Sequence, residues 1–322
     1  MKFLPMICAL SLGMAAPVLA QDSQPYPAKP IRIVVPWTPG QATDIAARAA
    51  SAKLAEALGQ SFIVENRAGA GGTIGASSVV KAAPDGYTLL AGSSGSVTVN
   101  PILQKANYAP TDLEPAGMIA KIPYVLVTAA DFPAKNAQEL IALIQANPGK
   151  YAFASSGAGS IGHLTAEVFL SKIGADVQHV PYKGSAGALT DVLSGRVAFM
   201  WDSVASVSGQ IASGAARAYA VSSGERTATL PDVPSLSEAS NIKDFDMVAW
   251  VGLMAPKGTP PERLDRINDV LLEVLKTPEV SKQFLTLGID PFPIPRAQAA
   301  KVIAAEVERL AAVAAENQVA AQ

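Results

Sequence analysis

The sequence contains few of the residues on which most active sites and metal sites depend. Its 322 residues include one cysteine, Cys8, and two histidines, His163 and His179. Cys8 lies in an N-terminal apolar segment that we expect to be removed, so the mature protein would have no disulfide, thiol nucleophile or cysteine metal site. Two histidines offer few parts for a zinc site or a serine triad. We therefore expect no metal, no cofactor and no enzymatic activity.

Charged residues are also scarce, and their signs nearly balance. Asp, Glu, Lys and Arg make up 16% of the chain, and the formal net charge is −2. A nucleic-acid-binding protein would be expected to carry a basic patch, and a charged tail would show a long run of one sign. Neither is present, so the sequence predicts no nucleic-acid partner.

The first twenty residues resemble a secretory signal peptide. Lys2 precedes a short apolar run that ends in Val18-Leu19-Ala20, a pattern typical of a cleavage site. The alternative is an N-terminal helix of the core. Cleavage after Ala20 and a mature chain without disulfides predict export to a bacterial periplasm. No later segment has the length and apolarity of a membrane span.

From residue 31 onwards, strand and helix patterns alternate. Buried-type strands are predicted at 31–35, 62–66, 87–92, 124–130, 151–156, 177–182, 196–201 and 216–223. Helical patterns lie between them, which favours βαβ units and largely parallel sheets. The strands are too numerous for one small sheet, so we predict two α/β domains. The chain would cross between them near 121–124 and return within 244–264.

Gly- and Ser-rich loops follow several predicted strands, where ligands bind in open α/β sheets. The loops are PWTPGQAT (36–43), RAGAGG (67–72), SSGSVTVN (93–100), SSGAGSIGH (155–163), KGSAG (183–187) and the segment after Asp202. Arg67 and Lys183 are the only nearby cations. Backbone N–H groups at helix N-termini favour an anion, so a small carboxylate could be held without an arginine clamp.

The first of these loops contains a large aromatic residue. Pro36 and Pro39 would end the strand and stiffen the loop, and Gly40 would let a ligand approach the backbone. Trp37 would then form an apolar wall or lid. The alternative, equally compatible with the loop, is that Trp37 is a core residue and Pro39-Gly40 an ordinary turn.

Two catalytic or cofactor patterns are present only in part. GAGSIG at 157–162 matches G-x-G-x-x-G, but the next strand ends at Lys183 without an acidic residue for a ribose, which favours a general anion site over a dinucleotide site. Ser160 lacks the first glycine of a nucleophile elbow. Its spacing to His163 is one helical turn, which favours capping of the helix. A hydrolase that uses Ser160 or Asp202 remains the rival hypothesis.

Six motifs, taken together in order, resemble those of one receptor family. They are YPAKPIRIVVPWTPGQATD, VENRAGAGGTIG, APDGYTLLAGS, PGKYAFASSGAGSIGHL, VPYKGSAGALTDVLSGRV and LPDVPSLSE followed by WVGLMAPKGTP. They resemble the extracytoplasmic solute receptors of tripartite tricarboxylate transporters, the Bug-type or TctC-like receptors. The resemblance implies a two-lobed periplasmic binding protein of the type II (Venus flytrap) α/β fold.

The resemblance also implies the limits of the lobes, the partners and the site. Lobe 1 would comprise 21–122 and 246–322, and lobe 2 would comprise 123–245. A monomer would capture a small carboxylate (a dicarboxylate, an amino acid or an aromatic acid) and deliver it to a membrane permease, or present its closed form to a sensor. The implied ligand-binding residues are Trp37, Gly40, Gln41, Thr43, Asp44, Gly69, Ala70, Gly72, Ser93, Ser155, Ser156, Gly159, Ser160, His163, Lys183, Gly184 and Asp202. The family's first loop usually reads Pro-Phe-x-Pro-Gly-Gly, so Trp37 and Gln41 would change the pocket.

Overall fold

The computed structural model describes residues 25–103 and 106–316. The predicted signal peptide, residues 1–20, lies outside them. The described strands are β1 (Ile31–Val35), β2 (Phe62–Asn66), β3 (Thr88–Ser93), β4 (Leu113–Ile122), β5 (Tyr124–Ala129), β6 (Ala152–Ser155), β7 (Gln178–Pro181), β8 (Phe199–Ser203), β9 (Ala216–Val221), β10 (Ala249–Pro256) and β11 (Asp290–Pro291).

Helices alternate with these strands over most of the described chain. They are α1 (Ala42–Leu58), α2 (Thr73–Val80), α3 (Asn100–Leu103), α4 (Ala137–Ala146), α5 (Ile161–Ile173), α6 (Ser185–Leu193), α7 (Val204–Ala212), α8 (Leu236–Ala239), α9 (Pro261–Lys276), α10 (Pro278–Thr286) and α11 (Arg296–Glu316). A wide helical turn, Ser94–Val99, joins β3 to α3. None of the helices in the described ranges is long and apolar enough to cross a membrane.

The strands form two sheets, as the two-domain prediction requires. The first has the order β11-β4-β10-β3-β1-β2, and the second has the order β7-β6-β8-β5-β9. We call the part of the chain around the six-stranded sheet lobe 1 and the part around the five-stranded sheet lobe 2. The limits 21–122 plus 246–322 and 123–245 remain a proposed division.

The prediction of largely parallel sheets is wrong. β1 pairs in parallel with β2 and β3, and β6 with β7 and β8, but β10 is antiparallel to β3 and β4, and β5 is antiparallel to β8 and β9. The reason is that 113–122 and 249–256, where no strand is predicted, form the antiparallel strands β4 and β10. Pro123 alone separates β4 from β5, so no helical crossover intervenes.

Short side chains allow α1 to lie close against the first sheet. Its face buries Ala46, Ala47, Ala50 and Leu54, all without exposed surface. The helix ends at Gly59, whose left-handed conformation (φ 64°) confirms the predicted stop and suits a residue without a Cβ atom. The N-terminus of α1 is thereby fixed at the end of β1, beside Trp37.

The C-terminal helix α11 packs against β4 and the wide turn 94–99. Ala299, Ile303, Glu306 and Leu310 are buried along one face of it. The prediction that this Ala-rich segment is a docked helix, and not a low-complexity tail, is therefore confirmed. Its position brings Glu306 behind the wall of the cleft between the lobes.

Candidate functional site

A narrow cavity lies where the two lobes meet, and the centre of a water-sized sphere can move through about 30 Å³ of it. Lobe 1 lines it with loop and strand-end residues, and lobe 2 contributes mainly hydroxyl-bearing residues. The lining is Trp37, Gln41, Ala42, Thr43, Ser93, Gly95, Ile122, Ala249, Trp250 and Val251 from lobe 1, and Tyr124, Ser156, Ser160, Ile161, Ser185, Asp202, Ser203 and Ser206 from lobe 2.

The N-termini of four helices converge on this cavity. α1 begins at Ala42, α5 at Ile161, α6 at Ser185 and α7 directly after Ser203, all of them residues of the lining or its immediate edge. The first turns of α1 and α6 have no side-chain cap. Each helix end carries N–H groups without an intrahelical acceptor and a partial positive charge. The cavity is therefore built to stabilise an anion.

No cationic side chain contributes to that environment. Among the described residues that line the cavity, none is Lys, Arg or His, and Asp202 is the one carboxylic acid. Gln41 is 8% exposed, and its amide nitrogen, a donor, has no hydrogen-bond partner. A buried donor without a partner is costly. The Gln41 amide is thus available to a ligand that brings an acceptor.

Trp37 is both a core residue and a wall of the cavity, so the two alternatives for it hold together. It is 8% exposed, and its Nε1 atom donates a hydrogen bond to Ser93 Oγ at 3.1 Å. A methyl group at Gly95 would lie 2.9 Å from Cζ2 of the ring. The wide turn can therefore pass beside the indole only because residue 95 has no side chain.

A buried hydrogen-bond network supports this wall from behind. Ser94 Oγ and Thr98 Oγ1 donate to the Glu306 carboxylate at 2.8 and 2.9 Å, and Trp250 Nε1 donates to it as well. The backbone N–H of Trp250 donates to Ser94 Oγ at 3.1 Å. Trp250 lines the cavity, so Glu306 couples α11 to the shape of the site.

The two lobes are in contact at the mouth of the cavity. A methyl group at Gly184 would lie 2.4 Å from Thr38 Oγ1 in the opposite lobe, and one at Gly71 would lie 2.7 Å from the carbonyl oxygen of Ala158. Trp37, Gln41 and Ser156 line both the inner cavity and this mouth. The structure is therefore a closed arrangement, in which glycines allow the backbones to meet.

The predicted site residues fall into three groups. Those that line the inner cavity are Trp37, Gln41, Thr43, Ser93, Ser156, Ser160 and Asp202. Those that line the mouth are Gly69, Ala70, Gly72, Lys183 and Gly184. Those in neither lining are Gly40, Asp44, Ser155, Gly159 and His163.

Residues of the third group shape the loops that carry the cavity. Asp44 accepts hydrogen bonds from Gly40 N, Arg48 Nε and Asn66 Nδ2. Burial works to raise the pKa of Asp44, but these bonds outweigh it and hold the pKa below its usual value. Gly40 is exposed and has a φ of +84°, so it serves the turn through its conformation.

The histidines also have structural partners. Ser160 Oγ accepts a hydrogen bond from His163 N at 3.2 Å, which confirms the capping interpretation. His163 Nδ1 accepts from Gly159 N at 3.3 Å. His179 Nε2 lies 2.7 Å from Ser155 Oγ, but Ser155 has no exposed surface and is not part of the cavity lining. The Ser155–His179 pair is therefore not presented to a ligand.

Sequence reasoning missed several cavity residues. Tyr124 and Trp250 belong to the segments through which the chain crosses between the lobes, and such segments necessarily border the cleft. Ser203 caps α7 by accepting from Ser206 N at 3.3 Å. The sequence signal for these serines is the segment after Asp202, which is among the predicted ligand loops but in which no individual residue is predicted.

Comparison with known proteins agrees with this geometry. Residues 46–318 match the family model of the tripartite tricarboxylate transporter family receptor, TctC. The chain belongs to this receptor family. It is 38% identical to the protein BugT of Bordetella pertussis over 312 residues, which are 95% of this chain and 93% of BugT.

Two solved structures show the same fold. The structure of R. palustris Rpa4515 with adipate has a TM-score of 0.88 and 31% identity, and the match covers 91% of this chain and 99% of that one. The periplasmic binding protein BugD has a TM-score of 0.85 and 35% identity, with coverage of 92% and 100%. The resemblance drawn from the motifs and the two-lobed α/β fold are both confirmed, and the protein is a solute-binding receptor of the Bug type.

Proposed function

We propose that this receptor captures a small organic carboxylate between its lobes and delivers it to the membrane permease of a tripartite tricarboxylate-type transporter. In this proposal the chain is exported, loses residues 1–20 and acts in the periplasm as a monomer without catalysis. The family assignment and the adipate complex of Rpa4515 support the transport role and the ligand class.

One observation carries the proposal: four helix N-termini surround a cavity whose described lining has no Lys, Arg or His. The N–H groups at 42, 43 and 161 and the Gln41 amide are the donors that we assign to the carboxylate. Helix ends hold anions through aligned N–H groups and the helix dipole. A cationic or fully apolar ligand would leave these donors without partners.

The rival hydrolase has less support in the same geometry. Ser160 Oγ is occupied as the cap of α5, and no histidine lines the cavity among the described residues. A serine nucleophile needs a base within hydrogen-bond reach and access to the substrate. The hydroxyl groups of the site are better suited to binding than to attack.

A thermal-shift screen of the mature protein from Gln21 tests the proposal. The panel is mono- and dicarboxylates, each beside the amide and the ester in which every carboxylate is replaced, and the expected result is stabilisation by one class of acid alone. A ligand that binds only the native state adds about 2.7 kcal/mol at a hundredfold excess over Kd. Gln41→Ala should reduce the shift by the loss of one charge-assisted hydrogen bond, whereas the exposed control Gln138→Ala should not. Equal shifts with acids and esters would contradict the proposal.

A further inference from the structure

Asp202 brings a buried carboxylate oxygen without a hydrogen-bond partner to the cavity. It lies near the end of β8, is 4% exposed and lines the cavity. Its Oδ1 atom accepts a hydrogen bond from Ser203 N at 2.7 Å, but its Oδ2 atom has no partner. Buried polar atoms are normally hydrogen-bonded, so Oδ2 is an acceptor that still lacks a donor.

An anionic ligand would increase the cost of leaving Oδ2 ionised and without a hydrogen-bond donor. The described lining of the cavity contains no cation that could neutralise two negative charges. Two carboxylates that share a buried site cannot both remain ionised at low cost, and one of them takes a proton. A ligand that carries a hydroxyl, amide or ammonium group beyond its carboxylate could instead donate directly to Oδ2.

We propose that Asp202 must receive a hydrogen on Oδ2 when the cavity is filled, so that an acid with its own donor group binds unaided, whereas an acid without one is captured together with a proton. This inference rests on the carboxylate function proposed above. In the second case an O–H bond of a hydronium ion, or the acidic bond of a buffer molecule, breaks as the Oδ2–H bond forms, and water or the buffer base is left in the solvent. Asp202 is then a residue that sets both specificity and pH dependence.

Among the described groups packed around Asp202, no other side chain is better placed to take up the proton. Tyr124 on β5 is close enough to feel the charge of Asp202, but burial first and that charge second raise the pKa of its phenol above the ordinary value, so it stays neutral. On α5, His163 lies 3.4 Å from Glu167, and Lys172 is exposed. On α6, Asp191 pairs with Arg196 at 2.8 Å, and neither α7 nor β6 carries an ionisable side chain.

The titration of Asp202 sets the expected size of the effect. Burial raises its pKa to about 6, although the nearby Ser185 hydroxyl and the N–H and hydroxyl of Ser203, none of which is bonded to Oδ2, pull in the other direction. If the complex requires the protonated form, affinity falls about tenfold for each pH unit above that pKa. Between about pH 6 and pH 8 the Kd of such an acid should rise about 50-fold.

Titration calorimetry with three matched pairs of acids tests the inference. The probes are succinate, adipate and terephthalate, each beside its monoamide, which keeps one carboxylate and replaces the other by a donor. The diacids should show the rising Kd and the uptake of about one proton at pH 8, measured in buffers of different ionisation enthalpy. The monoamides should bind with a flat pH profile and no proton uptake.

Asp202→Asn separates this residue from other titrating groups. The amide is isosteric, carries no charge and supplies a hydrogen, so the variant should bind the diacids at pH 8 at least tenfold more tightly than the wild type and without a pH slope. The exposed Asp176→Asn serves as the matched control and should behave as the wild type does.

The outcomes distinguish this inference from the function beneath it. A diacid Kd that is constant within twofold across the pH range, a slope that persists in Asp202→Asn, or monoamides with the same slope would each overturn the role of Asp202 and leave the carboxylate receptor standing. If no acid binds the wild type at any pH, the carboxylate function fails, and this inference fails with it.

Discussion

The contact between the lobes at the mouth of the cavity depends on the absence of a side chain at Gly184. The residue has a φ of +132° and precedes α6, and a methyl group there would lie 2.4 Å from Thr38 Oγ1 across the cleft. In the Gly184→Ala variant, the closed arrangement therefore contains a contact that an open arrangement does not. We predict that this substitution weakens ligand binding.

The substitution carries two free-energy costs, one that lowers stability and one that lowers ligand affinity. The backbone conformation costs alanine about 1–3 kcal/mol, but it does so whether the lobes are open or closed and hence lowers stability. Relief of the contact by rotation of Thr38 costs about 0.5–1.5 kcal/mol, and only in the closed form. Affinity should thus fall about 2- to 12-fold.

The assay is calorimetric titration of the acid found in the screen against Gly184→Ala, Thr38→Ala and the double variant. Thr38→Ala removes the atom that the new methyl group would meet, so the double variant should recover the affinity of Thr38→Ala alone while its lowered stability remains. Unchanged affinity in Gly184→Ala, or no recovery in the double variant, would refute the claim that ligand binding closes the lobes at this contact.

Three further predictions concern the support of the site. Glu306→Ala leaves the buried Ser94 hydroxyl and Trp250 indole N–H without an acceptor, while Thr98 Oγ1 keeps its hydrogen bond to Ser94 O. The loss should cost about 3 kcal/mol, or roughly 6–12 °C in Tm by calorimetry, whereas Glu308→Ala on the exposed face of the same helix should be neutral; equal effects would contradict the network. Gly95→Ala should displace Trp37, costing about 1–3 kcal/mol and reducing binding in the screen; an unchanged thermal shift would contradict the wall. Because the folded pKa of Asp44 is lowered, the stability it contributes should be lost as pH falls below about 5, and urea unfolding of Asp44→Asn should lack this acid-sensitive part.

Local signals in the sequence predicted much of the fold. β1 and β2 match the predicted strands residue for residue, and the α1 stop at Gly59 and the Ser160 cap of α5 are also as predicted. In each case the structure is determined by neighbours in the sequence, such as an apolar run, a glycine or a hydroxyl at the start of a helix.

Strands β4 and β10 could not be predicted in this way. Pro115 and Gly117 interrupt β4 and Gly252 interrupts β10, and both residue types argue against a strand. β10 shifts its register against β4 on either side of Gly252-Leu253, which accommodates these residues between two neighbouring strands. Only tertiary pairing shows that they belong to a sheet.

The site residues that belong to Gly- and Ser-rich loops could be predicted, and those that belong to strands and helices at the cleft could not. The loops 36–43 and 155–163 were found from their composition and contribute Trp37 and Ser160 to the cavity. Tyr124, the first residue of β5, and Ser206, in the first turn of α7, also line it, but their residue types alone give no sign of a ligand site. Asp44 is a different case. It follows a loop that does line the cavity, but its carboxylate accepts hydrogen bonds within lobe 1 and does not face the ligand site.

The most direct test of the central claim is a crystal structure of the mature protein with the acid from the screen. The account predicts one molecule in the inner cavity, with its carboxylate within hydrogen-bond distance of the N–H groups at 43 and 161 and its far end beside Asp202. An acid bound elsewhere, or one bound in the cavity with its carboxylate turned away from the helix N-termini, would contradict it.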